Sequence, residues 1–188
     1  GIKNSLMVVD MPYKSFVNKL TALRNAKRII KETKCDAVKI EGGSSVIKII
    51  EHLVKNNIPL MGHLGILPQS AKGKFKFKGK KTKERNKILN DAKLLQKKGV
   101  FSIVLECVES TLAKEITKSL KIPTIGIGSS KNCDGQVLVI DDLIGLNDSK
   151  IKFVKKFGSI KNNISQAARK FKKEVLNKKY PSKKYSYN

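Results

Sequence analysis

Cysteine is scarce in this sequence, and its few copies are far apart. Three cysteines occur among 188 residues, without a CxxC pair or a Cys/His cluster. This spacing argues against a zinc site and against a framework of disulfides. Isolated thiols are most simply explained by a reducing compartment, so we expect a cytoplasmic protein.

Long apolar runs are also missing. No stretch approaches the roughly 20 apolar residues of a membrane-spanning helix, and the first ten residues lack the apolar core of a signal peptide. We therefore expect no membrane partner. The sequence begins with Gly1 instead of Met, which favours a fragment of a longer chain or a processed product.

Acidic residues are few: 15 Asp and Glu stand against 40 Lys and Arg, a net charge of +25. A basic domain attracts polyanions, so a non-enzymatic RNA-binding protein is one hypothesis. Aromatic residues make up only 6%, and the interleaved aromatics of RNA-binding surfaces are not visible. Because lysine fills many positions where a solvated helix face needs any polar residue, we favour compositional bias and expect no nucleic-acid partner.

What the sequence does contain is a regular alternation of short apolar runs and amphipathic segments. The apolar runs predict six strands, over about 6–9, 37–41, 58–64, 101–107, 122–128 and 137–140. Ser15, Ser44 or Ser45, and Ser110 are the predicted helix caps. The pattern is typical of parallel strands covered on both faces, either in a doubly wound sheet or in part of a (β/α)₈ barrel. We expect one domain over residues 1–188, with a basic helix and tail at 160–188.

Polar side chains stand at the ends of nearly all the predicted strands. In (β/α)₈ barrels the carboxyl ends of the strands carry the active site, so this placement favours a barrel. The residues concerned are Asp10, Lys39, Glu41, His63, Glu106 and Ser129.

Each candidate also has a purely structural interpretation. Lys39 and Glu41 point to the same face of a strand and form either an ion pair or a binding site. His63 is either a packed core histidine or a site residue. Glu106 lies in an apolar run, where desolvation is expected to raise its pKa and suit it to general-base chemistry; the alternative is a pair with a lysine.

Four motifs carry a resemblance to a known family: VKIEGG at 38–43, GHLGILPQS at 62–70, LECV at 105–108 and IGIG at 125–128. With them, the chain resembles the ketopantoate hydroxymethyltransferase family from about Leu6 to the C-terminus. The resemblance implies a (β/α)₈ TIM barrel, incomplete here, with about six units that supply strands three to eight. The first two units, with a Gly-Asp-Ser motif, have no counterpart. The basic loop at 71–81 aligns with a family loop beside the active-site mouth.

The resemblance also implies an activity and roles for the candidate residues. The family transfers a one-carbon unit from 5,10-methylenetetrahydrofolate to 3-methyl-2-oxobutanoate, giving 2-dehydropantoate in pantothenate biosynthesis, and forms homo-oligomers. Asp10, in VDMPY, and Glu41 match residues of a Mg²⁺ site. Asp10, Lys39 and His63 match residues near the substrate, and Glu106 matches the proton acceptor. The alternative is another Mg²⁺-dependent keto-acid barrel enzyme, an aldolase or lyase without a folate requirement.

Overall fold

The computed structural model describes residues 3–71, 76–148 and 150–187 and divides the chain into two compact units. The first unit is Gly1–Val137 and the second is Leu138–Asn188. The predicted basic loop at 71–81 lies partly outside the described residues, at 72–75. The assignment of the whole chain to one barrel domain stays a prediction.

Six parallel strands form the sheet of the first unit, and each is hydrogen-bonded to the next strand along the chain. A doubly wound sheet reverses its strand order at a switch point, whereas neighbours in a barrel follow chain order. The unreversed order therefore makes this an α/β fold consistent with an incomplete TIM barrel. The strands are β1 (Val8–Asp10), β2 (Ala37–Glu41), β3 (Leu60–Gly65), β4 (Ser102–Glu106), β5 (Thr124–Ile127) and β6 (Gly135–Gln136).

Four helices of this unit connect the strands and bury one face of the sheet. Val38 and Ile40 of β2 are inaccessible or nearly so, in a core that includes Ala22 and Ala26 of the first helix. Burial of apolar area is the main favourable term in folding, and here it leaves the other face of β2 free for polar side chains. The helices are α1 (Lys19–Thr33), α2 (Ile47–Lys55), α3 (Thr82–Lys97) and α4 (Ser110–Ser119).

The helix caps differ from the predicted serines. The Ser15 backbone N–H donates to the Pro12 carbonyl oxygen in a turn, so α1 starts later and is capped by Asn18, which accepts from the Thr21 N–H at 2.9 Å. Helix α4 is capped by Glu109 and not by Ser110. Helix α2 follows a 3₁₀ turn, Ser44–Val46, whose N-cap Gly43 has no side chain.

The sixth strand was also predicted in the wrong place. The apolar run at 137–140 is not the strand, because Asp134 accepts hydrogen bonds from the N–H and hydroxyl of Thr124 at 2.8 and 3.0 Å. These bonds set the pairing with β5 at Gly135–Gln136, earlier in the chain. Ile140 instead begins a short helix, where the following acidic residues suit the first turn.

The second unit consists of α5 (Ile140–Leu143), α6 (Ile160–Leu176) and a 3₁₀ turn at Lys183–Tyr185. Helix α6 falls on the predicted basic amphipathic segment, and the ring of its Phe171 meets Tyr180 edge-on, with centroids 5.5 Å apart. Across the part of the chain that the structure describes, no helix is long and apolar enough to cross a membrane.

Candidate functional site

Five polar side chains predicted as site residues lie on one face of the sheet. Side chains alternate between faces along a strand, and the parallel register aligns Asp10 with Lys39 and Glu41 with His63. Glu106 is aligned with the residue two positions after His63, so it belongs to the same face. The strand ends therefore bring together three carboxylates, a lysine and a histidine.

Lys39 pairs with Asp10 on the neighbouring strand. Its Nζ lies 2.6 Å from Asp10 Oδ1 and 3.3 Å from His63 Nδ1. The side chain of Lys39 is only 17% exposed, so its charge interacts more strongly with these neighbours than it would in water. Among the described residues, its ion pair is with Asp10 and not with Glu41, the partner that sequence reasoning considered.

His63 lies between Lys39 and Glu106 and is almost fully buried. An ammonium group only donates hydrogen bonds, so the Nδ1 of His63 must accept from Lys39. In the tautomer that accepts there, the hydrogen is on Nε2, which is 3.4 Å from Glu106 Oε2. Within the described residues Nε2 has no hydrogen-bond partner, because the approach to Glu106 is close but not aligned. The site thus has an N–H donor available beside a carboxylate.

Glu41 is a buried carboxylate, only 8% exposed. It accepts one hydrogen bond, from the Gln69 backbone N–H at 3.2 Å, and has no ion pair among the described residues. Burial raises the pKa of Glu41 above its ordinary value, opposed by charge on His63, by the Gln69 bond and by Lys39, while Asp10 adds to the rise. The protein therefore holds Glu41 where ionisation of its carboxyl group is less favourable than in water.

The chemistry of these donors fits a hard divalent cation. Asp10, Glu41 and Glu106 offer only carboxylate oxygens as ligands, and Lys39 places a positive charge beside them. Mg²⁺ binds through one or two carboxylates, with water and substrate completing its shell. In the described ranges no three His, Cys, Asp or Glu side chains form a metal cluster.

Gln69 was missed as a site residue by sequence reasoning. Its backbone N–H binds the Glu41 carboxylate, and its side-chain Nε2 donates to the Met11 carbonyl oxygen at 2.9 Å. It therefore links the loop after β3 to the segment that follows Asp10. The available signal was its position inside the GHLGILPQS motif.

Comparison with known proteins identifies the family. The model of the ketopantoate hydroxymethyltransferase family matches residues 1–183. The chain is 64% identical over 187 residues to the 3-methyl-2-oxobutanoate hydroxymethyltransferase of Pelagibacter ubique (strain HTCC1062), covering 100% of this chain and 72% of that protein. It is 46% identical over 191 residues to the protein of the same name from Clostridium botulinum (strain 657 / Type Ba4), covering 100% and 70%.

Among solved structures, the Amycolatopsis orientalis BexX/CysO complex matches with a TM-score of 0.42 and 13% identity, covering 63% of this chain and 46% of that one. The family match and the curated relatives agree with the motifs and with their placement at the strand ends. The chain belongs to the ketopantoate hydroxymethyltransferase family.

Proposed function

We propose that this chain acts on 3-methyl-2-oxobutanoate through the Asp10, Lys39, Glu41, His63 and Glu106 face, as a hydroxymethyltransferase with 5,10-methylenetetrahydrofolate as the one-carbon donor. The main support for the proposal is that the polar side chains of the family motifs lie together on one face of the sheet, at the carboxyl ends of its strands. As parts of the same proposal, the six strands correspond to strands three to eight of the barrel, and the protein works in the cytoplasm as a homo-oligomer.

Lys39 is placed to hold the negative charge of the keto acid. Its ammonium is mostly buried and already lies between the Asp10 carboxylate and the His63 ring. An anionic substrate at this end of the sheet would therefore meet a fixed positive charge with little competing water. The contact of Lys39 with His63 Nδ1 favours the tautomer that has its hydrogen on Nε2. Lys39 therefore also helps to place an N–H donor opposite Glu106.

Glu106 is placed to take the proton from the carbon next to the keto group. A general base needs an accepting oxygen aimed at the substrate and a pKa suited to the pH at which it works. The His63 Nε2–H can donate to Oε2 after a small reorientation over the 3.4 Å gap, which would leave the other oxygen of Glu106 free to accept the proton.

Asp10 and Glu41 are the residues that would hold Mg²⁺. When bound, the ion supplies Lewis-acid polarisation of the keto oxygen. Apart from that, the work of the two residues is electrostatic: they place two negative charges at the strand ends, and Gln69 fixes the direction of one of them.

The test of the base is the Glu106→Gln variant. The amide cannot accept the proton, so exchange of the hydrogen on the carbon next to the keto group should fall by about a hundredfold or more, while keto-acid binding stays measurable. Proton NMR in D₂O reads the exchange, and calorimetry reads the binding. Glu115→Gln, a half-exposed carboxylate on α4, is the matched control. Undiminished exchange in Glu106→Gln would remove Glu106 from this role.

A further inference from the structure

We infer that Asp91 of helix α3 is a positioning residue for Glu41: it holds the Gly42–Gly43 turn at the end of β2 and so fixes where the Glu41 carboxylate lies. The inference rests on the proposed role of Glu41 in the site. Asp91 itself is not among the residues that face the substrate side of the sheet.

Asp91 is a buried charge whose contacts concern this turn. It is 6% exposed, and burying a carboxylate is costly unless it is paired and hydrogen-bonded. Its Oδ1 accepts the Ser44 backbone N–H at 3.1 Å, and its Oδ2 lies 2.6 Å from Lys87 Nζ. Lys87 in turn reaches the Ser44 hydroxyl at 3.4 Å. Asp91 and Lys87, both on α3, thus contact Ser44 at the start of the turn that leads into α2.

Asp91 replaces a missing helix cap. The 3₁₀ turn that opens α2 has Gly43 as its N-cap, with no side chain to accept a free N–H. A Ser, Thr, Asp or Asn at that position normally supplies the oxygen; here the oxygen comes from another helix. The two residues are so close that a Cβ on Gly43 would stand 2.3 Å from Asp91 Oδ2. With Asp91 in this position, residue 43 therefore has to be a glycine.

The turn is directly attached to Glu41. Gly42, the next residue, has a φ of +118° and donates its N–H to the His63 carbonyl oxygen at 3.0 Å. Since Glu41 has no ion pair among the described residues, the backbone at the strand end and the single bond from Gln69 decide where its carboxylate lies. If Asp91 no longer holds Ser44, the turn can shift, and Glu41 moves away from its position opposite His63.

The test compares Asp91→Ala with Asp91→Asn. The asparagine oxygen can still accept the Ser44 N–H, whereas alanine cannot. We expect Mg²⁺-dependent binding of 3-methyl-2-oxobutanoate, measured by calorimetry, to weaken about tenfold to a hundredfold in Asp91→Ala, the range that a misplacement of about 1 Å produces. Asp91→Asn should stay within about threefold of the wild type. Hydrogen exchange of the Ser44 amide should be fast in the alanine variant and protected in the asparagine variant.

Two outcomes would overturn the inference. In the first, Asp91→Ala binds the keto acid like the wild type although its Ser44 amide exchanges freely; Asp91 then supports only the turn, and the proposed function stands. The second outcome concerns the case in which the wild type binds no keto acid and the proposed function itself fails. The inference then still predicts that the ¹³C chemical shift of the Glu41 carboxyl at neutral pH changes in Asp91→Ala and not in Asp91→Asn. An unchanged shift in Asp91→Ala would contradict the inference.

Discussion

At the scale of single residues, Glu41 shows a conflict between stability and function. Its carboxylate is buried beside another acid, and the backbone donor on Gln69 only partly offsets that burial. Such a group weakens the folded protein whenever it is ionised. The proposed role of Glu41 in holding a cation would offset this cost, because a bound cation stabilises the ionised carboxylate.

We expect Glu41→Gln to stabilise the protein at neutral pH and to weaken keto-acid binding. The folded pKa of Glu41 is raised above the ordinary value of 4.5, so the stability that it contributes is present below pH 4.5 and is lost as pH rises through the folded pKa. Glutamine can still accept the Gln69 N–H without that loss. Its melting temperature should exceed that of the wild type by about 2–4 °C at pH 7, equivalent to about 1 kcal/mol.

Thermal unfolding followed by circular dichroism at pH 4 and pH 7, without added metal, measures this effect. The difference between Glu41→Gln and the wild type should become much smaller at pH 4, where Glu41 is mostly protonated in both the folded and the unfolded state. A difference that is the same at both pH values would show that the ionisation of Glu41 is not its cause.

At the scale of elements, helix α4 depends on its cap. Glu109 accepts hydrogen bonds from the N–H groups of Thr111 and Leu112 at 3.1 and 3.0 Å and from the Thr111 hydroxyl at 2.6 Å. These bonds, with a contribution from Arg85, lower the pKa of Glu109 to about 2. Because α4 directly follows the β4 end that carries Glu106, its first turn helps to hold that end in place.

Glu109→Ala should cost about 1 kcal/mol of stability at pH 7, as expected for the loss of a helix cap. The folded pKa lies below the ordinary 4.5, so the contribution of Glu109 is present above pH 4.5 and is lost as pH falls toward 2. Urea unfolding at pH 7 and at pH 3 should therefore show a smaller difference at the lower pH. Glu115→Ala also removes a contact with Arg85 but caps nothing, and an equal loss there would argue against the cap.

Much of the first unit was predictable, because an apolar run flanked by polar residues indicates a buried strand without knowledge of its neighbours. β4 was expected over 101–107 and is Ser102–Glu106. Each failure depended on a single hydrogen-bonding contact. Asp134 places β6 by bonding Thr124, and the local turn at Pro12 removes Ser15 from the helix; no periodicity contains either contact.

The candidate site was predictable to a similar extent. Alternation along a strand puts Lys39 and Glu41 on one face, but the choice of Asp10 as the partner of Lys39 depends on the register of β1 with β2. Asp91 left a weaker signal: it is a charge within the buried stripe of α3, beside Ile88, Ala92 and Leu95. Its partner Ser44 lies 47 residues away, beyond any local pattern.

At the scale of the whole molecule, the net charge of +25 is expected to attract polyanions. Such non-specific binding has to be distinguished from binding of the keto acid at the site. We expect the affinity for a single-stranded RNA to fall with salt, with a logarithmic slope of about −0.7 for each phosphate neutralised. Binding of 3-methyl-2-oxobutanoate should instead require Mg²⁺ and change little with salt.

RNA binding is measured by fluorescence anisotropy with a labelled RNA, and keto-acid binding by calorimetry with and without Mg²⁺. Both are measured at about 50 and 200 mM KCl, because a protein that contacts several phosphates loses orders of magnitude in affinity over this range. RNA binding that survives the higher salt, together with no keto-acid binding at all, would favour the basic RNA-binding alternative over the enzyme.

The three buried cysteines can serve as chemical probes of opening of the first unit. Cys35, Cys107 and Cys133 are each at most 8% exposed, and burial together with the Glu106 charge raises the pKa of the Cys107 thiol to about 11. Only the thiolate attacks disulfide reagents, so burial and the raised pKa both slow the reaction of Cys107 in the folded unit. The rate at which such a reagent labels these thiols therefore reports on local or global opening of the first unit, and a bound keto acid should slow that rate.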